Sequence, residues 1–331
     1  KEGKVSHMKD EQWMRLMVKL KRELGETIMG ALGNPSVLEI MLNPDGKLLV
    51  EEFGKGKQQV GTLTQTQAES IVNTVAAMLN TTVGYDRPGL EGELPIDTSR
   101  FTALLPPVVA ATSFTIRRKA TKIFTLGDYL QSNIISQKQH DVIIDCIKNK
   151  KNIVVAGGTG SGKTTLLNAV INGISVEASH DRLVIIEDTG EVQCSASDYV
   201  TMRAVGNFTM NDCLKKTMRF RPDRIIVGEV RGGEAMALLK SWNTGHEGGA
   251  ATIHANSASL ALLRLQSLIA EAPEASNYTP EMIKSLIGEA VQVIIFICKD
   301  KEALAGRKIS EIVKVEGYDS ISDQYRITSI Q

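Results

Sequence analysis

The sequence predicts two joined domains, a small α+β domain followed by an α/β domain built on a parallel sheet. Three observations carry that prediction. The chain has 331 residues, about two domains at the usual ~150 residues each. Its rhythm changes near residue 125, from short strands broken by Pro-Gly turns to apolar runs alternating with helical patterns. A glycine-rich loop then follows one of those runs, in the place where a parallel sheet holds ligands.

Taken in order, residues 1–7 read as a non-native remnant before a native Met8 and are set aside. Residues 10–32 are expected to be helical, because Trp13, Leu16, Met17, Leu20 and Leu24 recur at three- and four-residue steps. Arg15, Lys19, Lys21 and Arg22 between them leave two readings, a helix packed on its own domain or one lying on a membrane surface. Two short apolar runs, 37–42 and 47–52, flank Asn43-Pro44-Asp45-Gly46, and Asp-Gly between such runs signals a hairpin. A helix is expected over 64–79, then strands over 92–95, 100–105 and 113–118. The first domain is placed at 8–120, a linker at 121–125 and the second domain at 126–331. Strands of the second are expected at 152–156, 182–187, 224–227, 250–253 and 291–297; their near-continuous Val/Ile content implies a parallel sheet covered on both faces.

Composition narrows the function classes. Lys plus Arg and Asp plus Glu are each 38, so the net charge is +0, which argues against a protein whose main work is neutralising nucleic-acid phosphates. Aromatic content of 5% argues against a base-stacking platform. Cys146, Cys194, Cys213 and Cys298 form no CxxC pair, so reduced thiols in a cytoplasmic protein are expected, without zinc. The apolar run at 293–298 is far short of the ~20 residues a membrane span needs.

Gly157-Gly158-Thr159-Gly160-Ser161-Gly162-Lys163-Thr164 matches GxxxxGK[ST], with an apolar run before it and a helical pattern from Thr165 after it. The glycines allow backbone N–H groups to turn inward around phosphates at the positive end of a helix. Lys163 then reaches the terminal phosphates and the Thr164 hydroxyl completes a Mg²⁺ shell. Two further strands end in acids. One runs into Glu187-Asp188, with Glu191 one helical step on, and the other into Gly228-Glu229. Phosphoryl transfer to water needs a carboxylate near the metal and a polar group to orient the water, and pattern alone leaves those two roles open. His246 and His254 border a small-residue strand, where they either read the γ-phosphate or serve a structural role.

These segments together resemble the secretion ATPases of the type II/type IV superfamily, and within it the conjugal-transfer, TrbB-type, traffic ATPases. The match rests on the glycine-rich loop, Ile185–Glu191, Arg221–Arg231 and the Gly-His…Thr-Ile-His-Ala-Asn box. It implies a RecA-like P-loop domain, a PAS-like first domain and a homohexameric ring binding ATP with Mg²⁺ between the two domains. It assigns Gly158, Thr159, Gly160, Ser161, Gly162, Lys163, Thr164 and Thr165 to the nucleotide. Thr164, Glu229 and Asp188 go to the metal; Glu187, Asp188 and Glu191 to an acidic box; and Glu187, Glu191, Glu229, Lys163 and His254 to catalysis. Arg100 and Arg117 match first-domain arginines that approach the nucleotide, and Arg219, Arg221 and Arg231 match subunit-boundary contacts. The family's usual Asp before the strand-end acid is here Gly228. The tetracysteine zinc motif of pilus-extension relatives is absent, as is the helix signature of pilus-retraction ones, so conjugation is favoured over pilus motors. Partners are expected to be inner-membrane type IV secretion components, without direct nucleic-acid binding and with peripheral membrane association. A nucleotide-gated scaffold and a RecA-type helicase are the rival readings.

Overall fold

A computed structural model describes residues 2–118 and 123–330, with side chains from residue 11 onward. Contacts divide the chain into two units, 1–122 and 123–331; part of the expected linker, residues 121–122, lies outside the described residues.

The first unit contains α1 (Glu2–Gly33), β1 (Val37–Leu42), β2 (Lys47–Glu52), β3 (Gly56–Thr62), α2 (Gln65–Met78), β4 (Gly89–Glu93), β5 (Arg100–Leu104) and β6 (Ser113–Arg117). Its strands form one antiparallel sheet ordered β3-β2-β1-β6-β5-β4. The Asp-Gly turn joins β1 and β2 as expected, with Gly46 at φ 79. Leu20 and Leu24 before a break in α1 at Gly25 (φ 67), and Ile28 and Leu32 after it, share a core with Ile71, Val72 and Val75 of α2 and with Ile40, Phe101, Phe114 and Ile116 of the sheet. The buried stripe starts later than the sequence suggests, for Trp13 is 42% exposed. α2 begins at a full capping box, Thr64 and Gln67 each satisfying the other's backbone N–H. Strand β3 was not expected, since its Gly-Lys-Gln-Gln stretch carries no apolar alternation.

The second unit contains α3 (Leu126–Gln131), α4 (Gln137–Lys148), β7 (Ile153–Gly157), α5 (Lys163–Glu177), β8 (Leu183–Glu187), β9 (Tyr199–Arg203), α6 (Met210–Thr217), β10 (Arg224–Val230), α7 (Glu234–Trp242), β11 (Ala250–His254), α8 (Ala258–Ala270), α9 (Pro280–Ala290), β12 (Val293–Lys299), β13 (Arg307–Asp319) and β14 (Gln324–Ile330). The sheet order is β14-β13-β12-β7-β11-β10-β8-β9. From β12 to β9 neighbouring strands are parallel, and β7, β8, β10 and β11 are buried almost throughout. The expected parallel sheet is therefore extended into a mixed one, because β13 and β14 add antiparallel strands at one edge. The chain leaves β7 toward β8 on one side and returns to β12 on the other. That makes the carboxyl end of β7 the switch point where a ligand crevice opens. Among the described residues no helix is long and apolar enough to cross a membrane.

Two polar anchors hold the central strands. The Asn152 side chain accepts from the Gly248 and Gly249 N–H groups and donates to the Ala290 carbonyl. Buried Arg224 donates to Asp181 at 2.6 Å and to the carbonyls of Gly248 and Ile147. The glycines in this stretch are thus required by packing. A β-carbon on Gly249 would stand 2.2 Å from Trp242 Nε1 and 2.3 Å from the Ile225 carbonyl oxygen. Gly249→Ala is expected to destabilise the fold by about 1–3 kcal/mol, the usual range for overpacking. Gly30→Ala, at a helical site with nothing within 4 Å, should be neutral or stabilising by up to about 1 kcal/mol. Urea midpoints of the two variants check both.

Candidate functional site

Strand β7 runs straight into the glycine-rich loop, and α5 begins at Lys163 behind Gly162. Gly162 takes φ 100 and offers no side-chain cap, so the first N–H groups of α5 have no side-chain acceptor competing for them. Thr159 and Gly160 form the exposed tip, Gly158 and Thr164 and Thr165 are half-buried, and Ser161 is buried. Lys163 is only 7% exposed. Its ammonium donates to the Gly158 carbonyl at 2.9 Å and lies 3.3 Å from His254 Nδ1.

Strand β11 lies between β7 and β10, and this order decides the centre of the site. Its last residue, His254, stands opposite Gly157 in register and reaches both neighbours. Its Nδ1 faces Lys163, and its Nε2 is 2.7 Å from Glu229 Oε1. Burial and then the Lys163 charge push the imidazole below its ordinary pKa, against the pull of Glu229. An ammonium can only donate to Nδ1, which leaves Nε2 as the ring nitrogen that faces Glu229.

Glu229 sits where the β10–β11 pairing slips, between Val227 and Val230. Such a bulge re-aims a side chain at a functional edge. Gly228 explains the departure from the usual Asp, since a β-carbon there would approach Glu187 Cβ and Val192 Cγ2 to 3.1 Å. Arg231 closes the group. Its Nε and Nη2 donate to Glu229 Oε2 at 2.9 and 2.6 Å, and its Nη1 donates to Asp188. Hydrogen bonds to Glu229 raise the guanidinium pKa. Two carboxylates from neighbouring strands thus converge on one cation.

The structure brings Lys163, His254, Glu229 and Asp188 together, and separates others. Glu187 is 4% exposed and accepts the Val192 N–H at 3.0 Å, so it holds the loop after β8. Glu191 lies in that loop rather than on a helix, and its carbonyl accepts from Asn168 Nδ2. The idea that His246 reads a phosphate is corrected. It precedes the amino end of β11, opposite the loop, with Nδ1 2.9 Å from the Pro222 carbonyl oxygen. Arg219 and Arg221 are exposed, whereas Arg231 is engaged by acids of its own chain. In the first unit Arg100 and Arg117 lie directly opposite on β5 and β6, within a row that reads Lys57, Glu51, Glu39, Arg117, Arg100, Glu93 across all six strands. Like charges so placed repel.

A parallel sheet carrying a glycine-rich loop at its switch point, with a lysine and strand-end acids beside it, defines a P-loop α/β protein. Comparison with known proteins narrows the class. The Type II/IV secretion system protein family profile matches residues 58–325. The conjugal transfer protein TrbB of Rhizobium radiobacter is 46% identical over 304 residues, 92% of this chain and 91% of that one. A probable conjugal transfer protein TrbB of Sinorhizobium fredii is 46% identical over 317 residues, 96% of this chain and 94% of that one. The Legionella pneumophila ATPase DotB shares the fold, with a TM-score of 0.58 at 18% identity, over 92% of this chain and 78% of that one. The chain belongs to the Type II/IV secretion system protein family.

Proposed function

We propose that this chain is a Mg²⁺-dependent ATP hydrolase that powers a type IV secretion apparatus of the conjugative kind. The observation that supports it most is the continuous link from the P-loop lysine through His254 to Glu229. It joins the group that would touch the terminal phosphate to the acid that would act on water or metal. Lys163 and the N–H groups of the loop would bind the phosphates, and Lys163 would draw charge off the γ-phosphate as the bond to it breaks. Glu229 would take the proton of the attacking water. Glu187 would keep the loop after β8 in place from its contact with Val192. His254 would hold Glu229 and Lys163 at fixed separation.

The donor set fits Mg²⁺. That ion is held by one or two protein oxygens plus phosphate and water, and Asp188 and Glu229 already meet around a positive charge. Thr164 with Glu229 or Asp188 would hold the ion, which supplies charge neutralisation at the phosphate oxygens. The proposal retains Arg100 and Arg117 as nucleotide-directed residues. It also retains a homohexameric ring, a PAS-like first domain, a RecA-like second one, and a cytoplasmic location at the inner membrane beside the secretion channel. The names of the two conjugal relatives support the transfer apparatus as the machine served.

Phosphate release from ATP by the purified chain tests the reading. Turnover is expected with Mg²⁺, lost on adding EDTA and restored by excess Mg²⁺. Bound ATP with no release at any Mg²⁺ concentration would instead support a scaffold.

A further inference from the structure

We propose that Lys299 and Arg307 form a second cationic wall of the phosphate site and bind the diphosphate part common to ATP and ADP, an inference that rests on the nucleotide reading of the P-loop. Strand β12 pairs in parallel with β7, setting Ile297 beside Gly157, so the end of β12 runs on alongside the glycine-rich loop. The next strand, β13, returns antiparallel and sets Arg307 directly opposite Lys299. Both side chains approach the loop. A β-carbon on Gly160 would stand 3.1 Å from Lys299 Nζ, and one on Gly162 would stand 2.6 Å from Arg307 Nη1. These glycines have φ 67 and 100. They therefore serve twice, by turning the backbone of the loop and by admitting the two cations.

Two positive charges directly opposite each other on neighbouring strands suit a site for phosphates. Arg307 is 4% exposed, so its guanidinium is packed in place beside the loop. Lys308, the next residue, lies on the other face of the strand and pairs with Asp300 at 2.7 Å. A polyphosphate in the loop would carry several negative charges to within reach of both groups, and burial would strengthen the attraction.

Their side of the loop determines what they do. His254 and Glu229 come from β11 and β10, on one flank of β7, whereas Lys299 and Arg307 come from β12 and β13, on the other. The phosphates would lie between a wall that works on the γ-phosphate and a wall that holds the remainder. Groups of the second kind contribute to ground state and transition state alike, so losing them raises KM and leaves kcat the smaller change.

The test is equilibrium titration of the full chain, with Mg²⁺, by fluorescent ADP and by a non-hydrolysable ATP analogue. Lys299→Ala, at an exposed position that leaves the fold intact, is expected to weaken both ligands about tenfold, the loss of one charge-assisted contact. Lys299→Arg should recover most of that, Arg307→Met should add to it, and Lys308→Ala should bind as wild type. Wild-type affinity for ADP in Lys299→Ala, or an equal loss in Lys308→Ala, would overturn the inference. A wild-type chain that binds neither ligand would instead remove the nucleotide reading on which it rests.

Discussion

Lys163→Ala is expected to lower ATP turnover at saturating nucleotide by about 10²–10³-fold, the range found when one preorganised charge donor is removed from a transition state. The expectation follows from burial and direction. The ammonium is nearly enclosed and is held by the Gly158 carbonyl and His254 Nδ1, so it is already aimed when phosphate arrives and needs no reorganisation. Affinity for ATP should fall as well, because the lysine faces the bound phosphates before they react. The fold should survive, since α5 is anchored by Leu166, Leu167, Val170, Ile171 and Ile174, all buried, and Ala favours a helix. Phosphate release and thermal unfolding measured together check the claim. Full turnover in a folded variant would take Lys163 out of the site, and with it the hydrolase reading.

What could be read from sequence was whatever is local. The loop at 157–164, the run before it and the helix after it are contiguous, so chemistry and structure share one window. The acids at 187 and 229 were legible because each ends an apolar run. What escaped depended on register and strand order. Nothing in the string shows that β11 lies between β7 and β10, yet that order separates His254, which faces Lys163, from His246, which faces Pro222 at the far end of the strand. Lys299 and Arg307 match no motif, and only the β12–β13 pairing aims them at the loop. Strands β3 and β9 were missed because much of each lies exposed, which removes the apolar signal. Strand β13 alternates buried and exposed residues along part of its length, but the consecutive buried residues Ile312 and Val313 break the period. Glu191 follows Glu187-Asp188 by one helical step in the sequence, whereas Gly190 at φ 74 turns the chain away from a helix.

The companion substitution, Glu229→Gln, is expected to lower kcat by about 10²–10⁴-fold, the range for losing a positioned general base, while nucleotide affinity stays near wild type. Two acids compete for the role, and their surroundings separate them. The Glu187 carboxylate is enclosed and accepts the Val192 N–H, so it is committed to holding its loop. Glu229 keeps 16% side-chain exposure, sits on the bulge, and is steadied by Arg231 on one oxygen and His254 on the other. Those contacts fix both carboxylate oxygens in place at the edge of the site. Glutamine preserves its size but loses the charge, so the Arg231 clamp loosens and the proton acceptor disappears. Binding depends mainly on the loop and Lys163, and Thr164 with Asp188 would still hold the metal. The pair of variants is therefore diagnostic: Lys163→Ala should lose affinity and rate together, Glu229→Gln rate alone. Single-turnover hydrolysis beside ATP titration separates the two. An unchanged rate in Glu229→Gln, or an affinity that falls in step with the rate, would return the role to Glu187.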